Sequence, residues 1–305
     1  AYTDSYNSSN GDYSSTQSTN GTIVVGGSFS AGGGAVVDGN VRTGASADLS
    51  GTADINGIVY YTSGFDASGS AEYAGKEQIS GIDMADAIDA AVTAKINSLE
   101  DTNNNDDTTA IESEQVNFTG STAEYGGGTA TLTAGNYYVK SLDMVDQKLV
   151  LDTSSGDIAL AVDSSLTLDN SNITVKGDGK ARIYVADDIT LSPGSSTFVP
   201  DQRSVKLWVY GTSHATIDLT GNQGNELTFV GVIYAPSESG GSSVTIKHAE
   251  VFGSIVAGTI NVEQGGAIHF DQALMNTKPL AADVATPRLT YLHVTVNNVT
   301  ITSGT

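Results

Sequence analysis

The stretch Val162-Asp-Ser-Ser-Leu-Thr-Leu168 carries the pattern that predicts the fold. It consists of an aliphatic residue followed by aliphatic residues four and six positions later. The same pattern returns as Val185-Ala-Asp-Asp-Ile-Thr-Leu191 and again as Val256-Ala-Gly-Thr-Ile-Asn-Val262. Apolar residues at alternate positions are typical of a short strand with one buried face. The chain therefore repeats a strand unit.

Aliphatic residues also return at a nearly constant distance across residues 116–275. The spacings are 23, 23, 24, 24 and 23 along the series Val139, Val162, Val185, Val209, Ile233 and Val256. A constant repeat of short strands indicates that equivalent strands stack on one another. We therefore predict an all-β fold, a right-handed parallel β-helix, with its main part over 116–275. A β-sandwich is the alternative, but it would not require aliphatic residues at this interval.

Residues 21–63 repeat at a shorter interval. Two sets of aliphatic residues are spaced by 18, namely Ile23, Val41 and Val59, and Val37 with Ile55. Glycines separate these apolar points, which predicts short, glycine-rich β-solenoid rungs. The alternative is a flexible glycine-rich linker.

The remaining segments flank these repeats. Residues 1–20 form a polar arm, and residues 64–115 contain a helix and an acidic loop. A flanking α-helix is predicted over 80–100, because one helical face carries Met84, Ile88, Ala91, Val92, Ile96 and Leu99. Residues 276–305 form a linker and a C-terminal strand or hairpin. This strand could pair with an early rung, with the lateral face or with another molecule.

The composition excludes several classes of partner and site. The formal net charge is −22, so nucleic acid and anionic lipid would be repelled. The chain has no cysteine, which removes disulfides and thiol catalysis. No apolar run approaches the roughly 20 residues of a membrane helix, so we expect no membrane span in this chain. An acidic chain of this kind suits an extracellular or cell-surface location in a salt-rich medium.

Three stretches resemble a known group of proteins. They are Phe229-Val-Gly-Val-Ile-Tyr-Ala-Pro236, Val251-Phe-Gly-Ser-Ile-Val-Ala257 and Ile268-His-Phe-Asp-Gln-Ala-Leu274. They resemble poorly characterised surface proteins of haloarchaea and bacterial type IV pilus-associated proteins. Asp86-Ala-Ile-Asp-Ala-Ala-Val92 and Pro287-Arg-Leu-Thr-Tyr-Leu-His-Val294 resemble the haloarchaeal group more specifically, and the rungs at 21–63 are similar to bactofilins. The resemblance implies a surface location and a β-helix, and it implies no reaction.

The acidic loop after the predicted helix has the spacing of a calcium loop. Oxygen-bearing side chains stand at positions 1, 3, 5 and 12, with a backbone carbonyl expected at position 7, so the predicted Ca²⁺ ligands are Asp101, Asn103, Asn105, Asp107 and Glu112. Asp106 stands where the pattern has glycine, and no second helix is predicted after the loop. The alternative is a solvated loop rich in Asp and Asn.

Two of the four histidines, His248 and His269, lie about one repeat apart and could stack. Ordinary histidines at strand edges are the favoured interpretation, and a metal or acid–base site is the alternative.

The favoured function is structural rather than enzymatic. We expect a surface or filament subunit that associates with itself by strand addition or end-to-end stacking, because open strand edges must be capped or paired. The predicted subunit interface is the alternating set Leu292, Val294 and Val296. One alternative is an adhesin that binds surface glycans, with Tyr210 and Tyr234 as stacking surfaces. Another is a β-helix polysaccharide lyase or hydrolase.

Overall fold

The computed structural model describes residues 1–25, 27–80, 89–112, 115–116, 128–236, 241–276, 294–296 and 298–302. The chain is mostly β, with parallel sheets and few helices. The predicted all-β class is therefore confirmed. No helix in the described ranges is long and apolar enough to cross a membrane.

The first part of the chain is built from short strands. Its elements are β1 (Tyr2–Tyr6), α1 (Tyr13–Thr16), β2 (Ile23–Val25), β3 (Phe29–Ala31), β4 (Val36–Val37), β5 (Val41–Thr43), β6 (Ser46–Leu49), β7 (Asp54–Tyr61), β8 (Gly64–Ala67) and β9 (Glu72–Gln78). The segment 64–115, predicted as helix and loop, thus begins with two further strands.

A helical segment follows, with α2 (Asp89–Asp101), a 3-10 turn at Asn105–Asp107, and the antiparallel strands β10 (Ile111–Glu112) and β11 (Gln115–Val116). The predicted helix face is confirmed where it is described, because Val92, Ile96 and Leu99 are buried. Met84 and Ile88 lie outside the described residues.

The longest series of strands comes next. It comprises β12 (Thr129–Thr133), β13 (Gly135–Val139), β14 (Leu142–Val145), β15 (Lys148–Asp152), β16 (Ile158–Val162), β17 (Leu166–Asp169), β18 (Asn172–Lys176), β19 (Ala181–Val185), β20 (Ile189–Leu191), β21 (Ser196–Phe198), β22 (Leu207–Tyr210), β23 (Thr216–Thr220), β24 (Leu227–Ala235), β25 (Ser243–Lys247), β26 (Ala249–Ala257), β27 (Thr259–Glu263), β28 (Ala267–Asp271), β29 (Val294–Val296) and β30 (Asn298–Thr302). Further 3-10 turns lie at Pro200–Gln202, Ser204–Lys206 and Gln272–Asn276.

These strands pair in parallel along three ladders. The first ladder runs β12, β15, β18, β21, β24, β26, β28, β1, β4, β7 and β9. The second runs β13, β16, β19, β22, β24 and β26, and beyond β26 the strands β29, β2, β5 and β7 pair in that order. The third runs β14, β17, β20, β23, β25, β27, β30, β3, β6 and β8.

The long strands β24 and β26 belong to both the first and the second ladder, as β7 does further along. Gly231 and Gly253 are paired across β24 and β26, with φ of 154° and 145°. A Cβ on Gly253 would lie 1.8 Å from the carbonyl oxygen of Gly231. Only glycine fits such an approach, so these two residues allow the strands to turn from one ladder to the next.

The predicted strand registers are partly correct. Ile23, Val41 and Val59 pair in register as predicted. Two steps of the longer series are wrong, because Val209 pairs with Ile183 and Ile233 pairs with Ile255.

The first error has a visible cause. The two 3-10 turns between β21 and β22 lengthen that repeat, so the paired residues Tyr184 and Tyr210 are 26 positions apart.

Apolar side chains form two cores. One lies between the ladders and contains the alternating aliphatic residues of the repeats. The other lies outside the second ladder and contains the apolar face of α2. Much of this second core is formed by one row of residues that pair across successive strands of the second ladder, namely Tyr138, Ala161, Tyr184, Tyr210, Tyr234 and Val256. Full burial of such side chains stabilises a fold by about 1.5–3 kcal/mol each.

The C-terminal strands are not a hairpin. β29 pairs in parallel with β2, whereas β30 pairs in parallel with β27 and β3. Together with β1, they lie between strands from the two repeat regions. The strands before residue 80 therefore stack on the strands that end at Asp271.

Candidate functional site

The ladders end differently at their two extremities. The exposed end, as we call it, consists of β8 and β9. Among the described strands, β8 pairs only with β6 and β9 only with β7. The covered end consists of β12, β13 and β14. The two ends differ in how well their core positions are buried.

At the exposed end, residues that pair with buried core residues are themselves partly or fully exposed. Tyr73 is paired with the buried residue Ile55 and is nevertheless 36% exposed. Ala67 is exposed although its partner Leu49 is fully buried. Phe65 is only partly buried, although its partner Ala47 is buried. The core is therefore incompletely closed at β8 and β9.

A cation lies over this surface. Lys76 occupies the position next to the buried Val59, and its Nζ is 4.4 Å from the centre of the Phe65 ring. The Tyr73 ring meets the Phe65 ring edge-on at 5.0 Å. A cation over an aromatic face contributes about 0.5–1 kcal/mol at an exposed site. The exposed end therefore combines an aromatic surface with charge.

At the covered end, every core position is closed. The buried residues that its three strands contribute to the core between the ladders are Ala130, Leu132, Tyr137, Val139, Leu142 and Met144. Ala110 and Ile111, from the segment after α2, belong to the same apolar cluster. This segment therefore closes the core where the ladders begin.

The same segment also satisfies the backbone of β13. Asn104 N–H donates to Asn136 O at 2.7 Å, and Asn104 Oδ1 accepts from Asn136 N–H at 2.9 Å. Asn105 Oδ1 accepts from Tyr138 N–H at 3.2 Å, and Asn105 Nδ2 donates to Tyr138 O at 2.8 Å. Two asparagines thus take the place of a neighbouring strand along this edge.

The predicted calcium ligands lie in and beside this cap. Asn103 Nδ2 donates to Leu99 O at 2.9 Å, and Asn103 Oδ1 accepts from Asn105 N–H at 3.2 Å. Both amide side chains of the predicted set are therefore engaged with the protein itself. Asp101 ends α2, Asp107 ends the 3-10 turn and Glu112 ends β10. Within the described ranges there is no group of three His, Cys, Asp or Glu side chains that could hold a metal, and calcium stays a prediction.

A second site lies where the arm joins the ladders. β1 fills a slot between β28 and β4, and it pairs in register with β28 from Tyr2 to Tyr6. Asp4 is opposite His269, and its Oδ1 lies 2.6 Å from His269 Nδ1. Both side chains are buried. The arm is thus attached through a buried acid–imidazole pair.

The other oxygen of this carboxylate binds the rest of the arm. Tyr13 Oη donates to Asp4 Oδ2 at 2.6 Å, and Gln17 Nε2 donates to it at 2.7 Å. Aromatic rings enclose the imidazole of His269, with Tyr13 at 4.3 Å and Phe252 at 4.6 Å between ring centres. His269 Nε2 is buried, and no hydrogen-bond partner for it is found among the described residues. In a neutral imidazole that donates through Nδ1, this nitrogen is a free acceptor.

A buried carboxylate forms the next attachment. Asp271 accepts from Ser8 N–H at 3.0 Å and from Ser8 Oγ at 2.6 Å. Ser204 Oγ donates to it at 2.7 Å and Ala273 N–H at 3.0 Å. Four donors make such a buried charge tolerable. Two of them come from the arm, so an undocked arm would leave Asp271 half satisfied.

The arm tyrosines are held in their neutral form. Burial raises the pKa of Tyr6 above its ordinary value, and the Asp271 carboxylate adds to the shift. Burial likewise raises the pKa of Tyr13, with the hydrogen bond to Asp4 as the next cause. The phenol of Tyr6 donates to Gln202 O at 2.7 Å. These groups serve as hydrogen-bond donors over the whole neutral range.

The two predicted glycan-stacking tyrosines and two of the three predicted interface residues lie in strands of the second ladder. Val294 and Val296 lie in β29, which pairs with β2 of the same chain, and Leu292 lies outside the described residues. Tyr210 and Tyr234 are 0% and 4% exposed, so neither offers the open stacking surface expected for a glycan.

The three described histidines have different surroundings. His248 sits at a turn with φ of 45°, and the ring neighbours found for His269 are Tyr2, Tyr13 and Phe252. The His214 ring lies 3.5 Å from Asp89 and is largely exposed. His293 lies outside the described residues.

The sequence prediction missed the attachment of the arm. A signal was available, because Tyr2, Asp4 and Tyr6 alternate as strand residues do. Their partners could not be found in this way, since Asp4 and His269 are 265 positions apart.

A family model described as "Domain of unknown function (DUF7305)" matches residues 72–277, about two thirds of the chain. The chain belongs to the DUF7305 family. Its DUF7305 region begins with β9 and ends just after the last 3-10 turn, so β1 to β8, β29 and β30 lie outside it. No curated protein and no solved structure shows a significant match. The contact between β1 and β28 therefore joins a strand outside the DUF7305 region to the last described strand inside it.

Proposed function

We propose that the three ladders wind as a right-handed β-helix, and that this protein is an extracellular structural subunit that associates with itself end to end. The observation that carries the proposal is the contrast in burial between the two ends. Core positions are closed at β12 to β14 and left partly open at β8 and β9. An uncovered end of a stacked fold needs a cap or a partner.

A second copy of the chain suits this surface. β9 carries Glu72 and Glu77 on either side of Lys76. Two β9 edges that approach antiparallel across a twofold axis would bring Lys76 of one copy near a glutamate of the other. Lys76 at a core position also discourages pairing with unrelated strands, since such a partner would leave its charge unmatched. The contact is then self-complementary.

The overall charge sets the conditions for this association. Two copies that each carry −22 repel one another at low ionic strength. At about 1 M salt the Debye length falls to about 3 Å, and only short-range contacts remain. Association at the exposed end therefore belongs to a salt-rich exterior, which agrees with the acidic composition and the cell-surface resemblance of the sequence.

The proposal is tested by matched charge substitutions at the two ends. Tyr73→Asp introduces a carboxylate on the exposed aromatic surface, and Val145→Asp does so at a residue of the covered end that is 58% exposed. Sedimentation in 0.1 and 1 M NaCl, with electron microscopy of the same samples, measures the association. We expect assemblies of the unaltered chain in high salt, their loss in Tyr73→Asp and their persistence in Val145→Asp. Monomers throughout, or equal loss in both variants, would contradict the proposal.

A further inference from the structure

The arm of residues 1–18 is a small folded unit. Ser5 and Ser18 exchange both backbone hydrogen bonds, at 3.0 and 2.7 Å. Asp12 caps α1 by accepting from Ser15 N–H at 3.0 Å. The hydrogen bonds of Tyr13 and Gln17 to Asp4 join the helix to the strand. The arm therefore keeps part of its shape through its own contacts.

Its contacts with the rest of the chain reach residues that are far away in sequence. They are made to Gln202, His269, Asp271 and Gln272. The slot between β28 and β4 supplies open strand edges on both sides. Recognition thus depends on strand pairing together with two buried polar contacts, which is how an added strand binds a sheet.

The slot requires an occupant. Without the arm, the imidazole of His269 would lose the hydrogen bond to Asp4, the only one found for it among the described residues, and Asp271 would lose two of its four donors. A buried charge or donor that loses its hydrogen-bond partner destabilises the fold. The arm itself is linked to β2 by a short segment in which Thr19 and Asn20 are exposed.

We infer that this slot is a binding site for residues 1–18 of a second copy of the chain, so that exchange of arms links copies. The exchanged arm would make the same contacts as the chain's own arm. The ratio of slots filled by the chain's own arm to slots filled by another copy's arm is therefore set by effective concentration. Dilute solution favours the chain's own arm, and crowded arrays favour the exchanged arm. Exchange gives the proposed assembly a second contact, and it can be measured apart from the first.

The first experiment uses a full chain with a specific protease site inserted between Thr19 and Asn20. The chain is folded, cleaved and mixed with a fluorescent synthetic peptide of residues 1–18. We expect the peptide to replace the cleaved arm. An Asp4→Ala peptide should bind about tenfold more weakly or worse, because a buried charge-assisted contact is lost. An Asn10→Ala peptide is the control and should bind nearly as well, since Asn10 is exposed.

The second experiment uses uncleaved chains. The sequence has no cysteine, so single dyes can be placed through Ser14→Cys in one population and Glu250→Cys in another. Both positions are exposed, and Glu250 acts electrostatically on the Tyr13 hydroxyl. Both populations also carry Tyr73→Asp, which removes association at the exposed end.

We expect energy transfer between the two populations to grow with concentration and time, and to be competed away by the unaltered peptide. Equal binding of the Asp4→Ala and unaltered peptides, or no transfer at any concentration, would overturn the inference. Either result would leave the proposed association at the exposed end untouched.

Discussion

The two ends of the ladders show two ways to terminate a stack of parallel strands. At the covered end, Asn104 and Asn105 imitate a neighbouring strand, while Ala110 and Ile111 close the core. At the exposed end, the last strands leave Phe65 and Tyr73 partly open, with a lysine over the aromatic surface. The segment after α2 covers one end, whereas the other end carries the charge of Lys76. Closure is therefore supplied by specific residues and not by the repeat itself.

The largest expected effect comes from truncating the core at each end. Leu142→Ala at the covered end should cost about 3 kcal/mol, because the removed group is buried and a cavity remains. Phe65→Ala at the exposed end should cost about 1 kcal/mol, because that ring is already partly in water. Denaturant unfolding of both variants measures the difference. Equal losses would show that the two ends are equally closed.

The next effect concerns the asparagine cap. Asn105→Ala removes two hydrogen bonds to the backbone of Tyr138, so the free energy of unfolding should fall by about 2 kcal/mol. Asn56→Ala is the matched control, because Asn56 makes an exposed side-chain bond to Asp38 and its loss should cost less than about 0.5 kcal/mol. Indistinguishable unfolding curves for Asn105→Ala and Asn56→Ala would contradict the capping role of Asn105.

A smaller effect is expected in alkali at the arm, which lies between the two ends. Burial raises the pKa of Tyr6 in the folded chain, so its contribution to stability is present below about pH 10 and is lost as the pH rises further. Tyr6→Phe loses the bond to Gln202 and should be less stable by about 1 kcal/mol at pH 7. The difference in the free energy of unfolding between Tyr6→Phe and the unaltered chain should narrow above pH 10. A difference that stays constant from pH 7 to 11 would mean that this phenol ionises freely.

The smallest effect is a test of calcium at the covered end. If the loop binds calcium as its spacing predicts, millimolar Ca²⁺ should raise the midpoint of thermal unfolding, and Glu112→Gln should abolish the increase. Mg²⁺ at the same concentration is the control for ionic strength. An unchanged midpoint in the unaltered chain would leave the loop with its capping role alone.

Much of the ladder pairing follows from local pattern. The predicted pairs Leu166/Leu168 and Ile189/Leu191 stack in register, and Ile217 and Leu219 continue the stack. They do so because alternation fixes which face of each strand is buried, and a shift by one residue would expose the apolar set. This part of the fold could be predicted from the sequence.

Other parts depend on contacts that no local pattern carries. The register of Val209 changed because 3-10 turns inserted residues into one repeat. The asparagines at 103 and 105 have calcium-loop spacing, yet what they bind is backbone that becomes a neighbour only after folding. The position of the arm depends on His269 and Asp271, whose roles are visible only once both repeat regions are stacked.

The most direct test of the central claim is hydrogen exchange of the β9 backbone amides at increasing protein concentration in 1 M NaCl. The amides of β13 provide the internal reference, since the asparagine cap already engages that edge. We expect residues 72–78 to gain protection as concentration rises, β13 to stay unchanged, and Tyr73→Asp to remove the gain. Exchange of β9 that is independent of concentration, in a chain that still assembles, would contradict the claim that the exposed end is the interface.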